Sequence, residues 1–151
     1  MFSYSYKQLS KTNIKTFKEL LRVFGEAFDE IKTYQNKIPR DNYLTALLSN
    51  SDFIGIVALN NKEVIGGLTA YVLNKFEQER SEIYIYDLAV SKNNRRKGVA
   101  TNLIKELKKI AKKKGSYVIF VQADKGDNAA IKLYESLGTR ESVYHYDIRV
   151  K

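Results

Sequence analysis

The chain has 151 residues, 44% of them hydrophobic, which suits one domain spanning 1–151 with a real core. It has no cysteine and one histidine, His145. Disulfides, thiolate metal sites and cysteine nucleophiles are therefore excluded, and no metal centre of the usual His or Cys type is expected. The net charge of +9 sits between Lys92 and Gly115, where ten basic residues meet only Glu106, while the rest of the chain balances; so local a footprint suits a small anionic ligand at least as well as a long polyanion.

In chain order, residues 2–7 alternate as a strand. Asn13 to Phe28 form a helix with Ile14, Phe17, Leu20, Leu21, Phe24 and Phe28 on one face. The stretch "FGEAFDEIKTYQNK" breaks into a loop, and Arg40 to Leu48 make a short second helix. Residues 52–59 and 63–73 are two strands joined by the hairpin turn "NNKE". Residues 81–90, "SEIYIYDLAV", are a third apolar strand. A helix follows from about Gly98 to Lys114, with Gly115 as its C-cap. "YVIFVQA" is a buried strand, Asp127/Asn128 cap a helix through Leu137, and "ESVYHYDIRV" alternates as a last strand. The segment from 81 to 123 is a β-α-β unit, so a parallel pair is expected inside an otherwise antiparallel sheet, with helices on both faces. No apolar run reaches the roughly 20 residues needed to span a bilayer, and the opening "MFSYSYKQL" has no signal-peptide core. Cytoplasmic location and no membrane partner are the expectations.

The turn "NNRRKG" is the most informative stretch. Lysines 108, 109, 112, 113 and 114 lie near a helix C-terminus, where the dipole favours positive charge. Arg95, Arg96 and Lys97 lie at the other end, where it does not, and a bound anion compensates for them. A helix start offers unpaired N–H groups to phosphate, and Gly98 lets a ligand approach closely. The phosphate-loop and dinucleotide patterns need further glycines, which are absent.

"NNRRKGVATNLI" resembles the acetyl-coenzyme A diphosphate loop of the GNAT superfamily of N-acetyltransferases, Arg/Gln-x-x-Gly-x-Gly/Ala, through Arg95, Gly98 and Ala100. The element order resembles that fold from end to end, and "NAAIKLYESLG" is similar to its second motif. Where that motif often has Asn seven residues before its Tyr, this chain has Asp127, followed by Asn128; Thr139 replaces the usual Phe after the glycine. "ALLSNSDFIGIVAL", "AYVLNKFEQERSEIYIYDLAVS" and "YVIFVQAD" further resemble the aminoglycoside 3-N-acetyltransferases of the gentamicin-modifying type, most strongly from about residue 70 to 138.

The resemblance implies transfer of acetyl from acetyl-CoA to a primary amine by direct attack, with the 3-amino group of an aminoglycoside antibiotic as acceptor. Another amine, such as a polyamine, a small metabolite or a protein amine, stays open. Attack on a thioester passes through an oxyanion, so the cofactor needs an anchor, the oxyanion a donor, the amine a base and the leaving thiolate an acid. The anchor is the loop, through backbone N–H groups from Arg96 through Lys97, Gly98, Val99 and Ala100 to Thr101, with side-chain help from Arg95 and Arg96. The resemblance places the oxyanion and pantetheine contacts on Leu88, Ala89 and Val90, where the sheet splays after a bulge, with a further contact at Asn128. Tyr134 is the implied acid; the residues alone read it as helix packing.

Asp87 is the candidate base, the only charge between Ile83 and Val90, although a structural hydrogen bond to a tyrosine also accounts for it. Glu82 and Asp124 are alternates expected at the same end of the sheet. A polycationic acceptor calls for carboxylates, for which Glu82, Asp124 and Asp127 are candidates along with Glu26, Asp29 and Glu30; Glu77 and Glu79 read as surface groups. Tyr34, in the first loop, reads either as a ring to stack on a sugar or as loop packing. His145 reads as a packing residue in the terminal strand. No aromatic lies between Lys92 and Gly115, which argues against nucleic acid. A homodimer is left open.

Overall fold

The computed structural model describes residues 3–151. Strand β1 is Tyr4–Gln8, so the expected first position of that strand, residue 2, lies outside the described residues. Helix α1 (Ile14–Ala27), the single turn α2 (Ile31–Tyr34) and helix α3 (Asp41–Ser49) follow. Then come β2 (Phe53–Asn60), β3 (Glu63–Asn74), β4 (Ser81–Val90), α4 (Val99–Lys114), β5 (Ser116–Val121) and α5 (Asn128–Glu135). The five strands form one sheet in chain order, antiparallel except for the β4–β5 pair.

Each face of the sheet carries its own core. Strand β2 shows why: Ile54, Ile56 and Ala58 point to one side and Phe53 and Val57 to the other, the period of two that strand geometry imposes. The first set packs with Val99, Leu103, Ile104, Leu107 and Ala111 of α4. The second packs with Phe17, Leu20, Val23 and Phe24 of α1 and Leu44 of α3. Each such aliphatic or aromatic burial contributes about 1.5–3 kcal/mol. Helix α1 crosses β3 closely because Gly67 has no side chain: a Cβ there would sit 2.6 Å from the Ile56 carbonyl oxygen and collide with Leu20.

Four expectations are corrected. The stretch after α1, expected as a loop, contains α2. It forms after Asp29 turns the chain through a left-handed conformation, φ 53°, and the Glu30 N–H returns to the Gly25 carbonyl at 2.9 Å. The last strand does not form within the chain. Residues 139–151 make no strand and every one is exposed, because the tail leaves α5 without meeting the sheet. The parallel β4–β5 pair therefore lies at an edge, not inside the sheet as expected, and β5 is left with one partner. His145 accordingly lies exposed, with Asp147 at 2.9 Å as its hydrogen-bond partner among the described residues.

Candidate active site

Strand β4 is the organising element. As far as Ile85 it pairs with β3 on one side and β5 on the other. On the β3 side Thr69 faces Asp87 and Ala70 faces Ile85, so Tyr86 is an extra residue without an opposite number. This bulge shifts the alternation by one. Before it, Ile83 and Ile85 point into the α4 core; after it, Val90 points there and Ala89 points to α1. Pairing with β5 ends at Ile85–Val121, so β4 runs on through Val90 with its β5-side edge open. The expected splay is present, and the backbone of Leu88, Ala89 and Val90 lies along it.

The chain then makes a 3-10 turn, Lys92–Asn94, before α4. Side chains fix this turn from within. The Arg95 Nε donates to the Val90 carbonyl at 2.9 Å, the Asn94 amide to Ser91 Oγ at 2.9 Å, and the Tyr4 hydroxyl to Asn94 Oδ1 at 3.1 Å. Part of the Arg95 guanidinium is thus committed to the loop itself. Arg96 and Gly98 both adopt left-handed backbone conformations, φ 59° and 78°, and turns of this kind make anion-binding concavities of N–H groups. The first helical bond of α4 runs from the Asn102 N–H to the Gly98 carbonyl at 3.0 Å. No side chain caps this helix, and the N–H groups of Gly98, Val99, Ala100 and Thr101 meet no acceptor among the described residues. A Cβ at Gly98 would meet nothing within 4 Å, so the space in front of those amides is open.

On the opposite face of the sheet the bulge presents Asp87 to α2. The Tyr34 hydroxyl donates to Asp87 Oδ2 at 2.9 Å. Tyr34 is held by Phe24 and Phe28, ring centroids 6.0 and 5.8 Å away, while the Gln35 amide anchors α2 on the Arg22 carbonyl. Burial raises the Asp87 carboxyl above the ordinary aspartate value, and the hydrogen bond from Tyr34 opposes this only in part. The Tyr34 phenol is pushed well above its usual range by burial and then by its bond to Asp87. The tyrosine interaction considered from sequence is therefore present, and Tyr34 is an Asp87 partner rather than a free stacking ring.

Beside this pair lies a cleft of about 500 Å³ lined by Asp52, Phe53, Tyr71, Tyr84 and Tyr86, with Leu47 and Leu73. The Tyr71 and Tyr86 rings meet edge to face at 5.8 Å, and Tyr84 stacks on Phe120 at 4.8 Å. The Asp52 carboxylate accepts from the Asn74 amide at the rim. Sequence reading missed this wall. Its signal was the run of tyrosines in β4, which alternation reads as ordinary strand packing until the bulge is placed.

The remaining candidates are dispersed. Glu82 pairs with Val118 near the start of β4. It accepts a short hydrogen bond from Tyr117 and an ion pair from Lys75 at 3.6 Å. It thus sits at the far end of the strand from Asp87, five residues and about 16 Å away by strand rise, contrary to expectation. Asp127 caps α5 by accepting from the Ala130 N–H at 3.2 Å, Asn128 is the exposed first residue of that helix, and Asp124 is exposed after β5. Glu26 pairs with Arg22, and Glu77 with Lys75 and Arg80. Tyr134, on α5, is half-buried against the α4-side core. Burial, with Asp127 second, raises its phenol to about 12, and its hydroxyl makes no hydrogen bond among the described residues. No group of His, Asp and Glu among the described residues is arranged to hold a metal ion, and no described helix is long and apolar enough to cross a membrane.

Residues 15–139 match the Acetyltransferase (GNAT) family. A search of the curated proteins finds no match. Among solved structures, the chain is similar to an aminoglycoside acetyltransferase, HMB0005, from an uncultured soil metagenomic sample, with 51% identity, 99% of each chain covered and a TM-score of 0.97. A second soil-metagenome aminoglycoside acetyltransferase, meta-AAC0020, in complex with sisomicin, is 33% identical over 98% of this chain and 97% of that one, with a TM-score of 0.89. AAC(6')-Iy, in complex with a bisubstrate analog of CoA and acetylneamine, shares the fold at a TM-score of 0.76 and 18% identity, over 97% of this chain and 99% of that one.

Proposed function

Since the chain belongs to the acetyltransferase (GNAT) family and is an acetyl-CoA-dependent acetyltransferase, we propose that its acceptor is an aminoglycoside, modified at the 3-amino group, and that the second half of β4 is where the two substrates meet. The observation that carries this reading is the Tyr86 bulge, which leaves the Leu88–Val90 edge without a β5 partner and turns Asp87 to Tyr34, next to the Tyr86 that lines the aromatic cleft.

Acetyl-CoA fits the α4 side. The uncapped amides of Gly98 to Thr101, the left-handed turn at Arg96 and the open space at Gly98 suit a diphosphate. Arg96 and Lys97 add positive charge, and the β4 edge from Leu88 to Val90, without a β5 partner and with only its Val90 carbonyl taken, by Arg95, suits the amide-bearing arm, with Asn128 at the far side. When bound, the cofactor supplies an acetyl group activated as a thioester.

The protein's part is proton management and placement. Asp87 takes the proton of the acceptor ammonium. Burial brings its carboxyl closer to neutral pH, where a base works best, and Tyr34 fixes its direction. The Tyr134 hydroxyl, protonated throughout the neutral range and without a competing partner, donates a hydrogen bond towards the departing sulfur. Backbone N–H groups on the open β4 edge provide the oxyanion donor, an interaction worth roughly 3 kcal/mol.

The acceptor side supports a cationic sugar. Tyr71, Tyr84 and Tyr86 offer flat rings, and Asp52 and Asp87 bracket them with negative charge. Glu30, exposed and close enough to act on the Tyr34 phenol, supplies further charge. A relative half identical to this chain carries the aminoglycoside acetyltransferase name, and another binds sisomicin.

The test is thiol release from acetyl-CoA with gentamicin, kanamycin, spermidine and a lysine peptide. Gentamicin turnover, with none for a 3-N-blocked analogue, is expected. Turnover of the blocked analogue rejects the 3-amino position, and turnover of spermidine or peptide alone rejects the acceptor class.

A further inference from the structure

The turn between β4 and α4 has a shape that its own residues resist. Arg96 stands at φ 59°, a left-handed conformation that side chains disfavour. Arg95, Arg96 and Lys97 crowd the positive end of the α4 dipole. Without an anion both features favour other conformations, so the turn needs holding from outside.

That hold comes from distant strands. The Ser91 N–H donates to the Ile65 carbonyl of β3 at 2.8 Å. Further along the turn, the Tyr4 hydroxyl of β1 donates to Asn94 Oδ1 at 3.1 Å, across 90 residues of chain. Strands β2 and β3 lie between β1 and β4, a span of about 14 Å at the usual strand spacing. Tyr4 pairs with Asn60, and Val90 with Gly66, so both lie towards the hairpin end of β2 and β3. The turn leaving Val90 crosses back over those two strands to meet Tyr4.

Asn94 converts this contact into a shape. With its Oδ1 facing Tyr4, its amide nitrogen faces Ser91 Oγ and donates to it at 2.9 Å. Its main-chain N–H donates to the Ser91 carbonyl, also at 2.9 Å. Arg95 and Arg96 follow directly. The Tyr4 ring packs against the α4-side core, which gives its hydroxyl a firm support. Tyr6, two residues on, packs its ring against the same core, but its buried hydroxyl has no hydrogen-bond partner among the described residues. The two tyrosines thus differ in what their hydroxyls hold.

On the reading that the start of α4 is the cofactor seat, we propose that Tyr4 is a positioning residue for acetyl-CoA. Its hydroxyl, through Asn94, keeps the turn in the form in which the Gly98–Thr101 amides meet the diphosphate. The edge strand β1 is therefore part of the cofactor site without touching the cofactor. The hold is made before the ligand arrives, so its loss weakens cofactor binding and leaves transfer from the filled site unchanged.

The test is calorimetry of coenzyme A binding, with kinetics on whichever of the amines above is turned over. Tyr4→Phe keeps the ring and removes one hydrogen bond. Coenzyme A affinity and the KM for acetyl-CoA should each weaken about five- to tenfold, at unchanged kcat. Tyr6→Phe should change neither. Asn94→Ala should lose as much as Tyr4→Phe, and the double variant no more than the larger single loss. Parental affinity in Tyr4→Phe overturns the proposal. So do equal losses in Tyr4→Phe and Tyr6→Phe, which reduce β1 to a support for the core. Additive losses in the double variant, or a fall in kcat at unchanged KM, overturn it as well. Gly98→Val separates this inference from the reading beneath it. If that variant loses affinity and Tyr4→Phe does not, the seat stands and only the role of Tyr4 falls; if both bind coenzyme A like the parent, the seat itself lies elsewhere.

Discussion

The helices α4 and α5 begin in equivalent places and end up with opposite characters. Each follows a strand of the one parallel pair, so both start beyond the same, C-terminal end of those strands. At α5, Asp127 accepts from the Ala130 N–H and seals the helix from within. At α4 no side chain does so; instead two left-handed residues, Arg96 and Gly98, lead into the helix, with open space at Gly98. A carboxylate serves one helix start and excludes an anion from it. Its absence from the other leaves a partial positive charge for a ligand to meet. The difference of a single acidic residue decides which turn is scaffold and which is seat.

Gly98→Val should do the most damage. A side chain in the space before the amides costs several charge-assisted hydrogen bonds, so acetyl-CoA affinity should fall about a thousandfold or more by calorimetry. Gly115 has nearly the same φ, 72°, and equally empty surroundings. Gly115→Val should carry the same backbone strain, roughly 1–2 kcal/mol, and keep its affinity. Equal losses in the two variants reduce the α4 seat to backbone strain.

Asp87→Asn should lower turnover on the order of a hundredfold with acetyl-CoA affinity intact, because the base lies on the other face of the sheet. Activity should rise with pH through the raised carboxyl value. Tyr34→Phe removes the bond that lowers that value, so the acidic limb should move to higher pH. Burial favours the protonated carboxyl in the folded chain. Parent stability therefore falls as pH rises from the ordinary aspartate value through the raised one, and a melting series on Asp87→Asn should lack that slope.

Tyr134→Phe should reduce kcat about tenfold at unchanged KM, showing that α5 acts through its side and not its start. Asp127→Ala should have the smallest effect, about 1 kcal/mol of stability and 2–4 °C in Tm, with no change in cofactor affinity. A large loss of affinity there erases the contrast between the two helix starts.

Much of this arrangement was legible in the residues. The periodicity of α1 and α4, the hairpin at Asn61–Lys62 and the basic turn before Val99 each rest on local physics that tertiary context did not override. Asp87 stood out because one charge in an apolar strand demands a partner. The partner itself, Tyr34, was read as a stacking ring, since α2 is a single turn set by one left-handed aspartate and offers no periodicity. The face to which Asp87 points depends on the Tyr86 bulge, whose position follows from pairing with β3 and not from the strand's own sequence. Glu82 was misplaced for a similar reason: closeness in sequence says nothing about which end of an extended strand is reached. The tail shows the converse: its strand-like alternation forms no strand, because alternation alone supplies no partner for the backbone.

The Tyr86 bulge also separates what can vary from what cannot. The proposed donor end is built from main-chain atoms, which most substitutions leave alone, whereas the proposed recipient end is a wall of side chains, chiefly from β3 and β4. Exchanges at Tyr71 or Tyr84 can re-tailor the recipient without disturbing the donor, so a scaffold of this design can change its clientele one ring at a time.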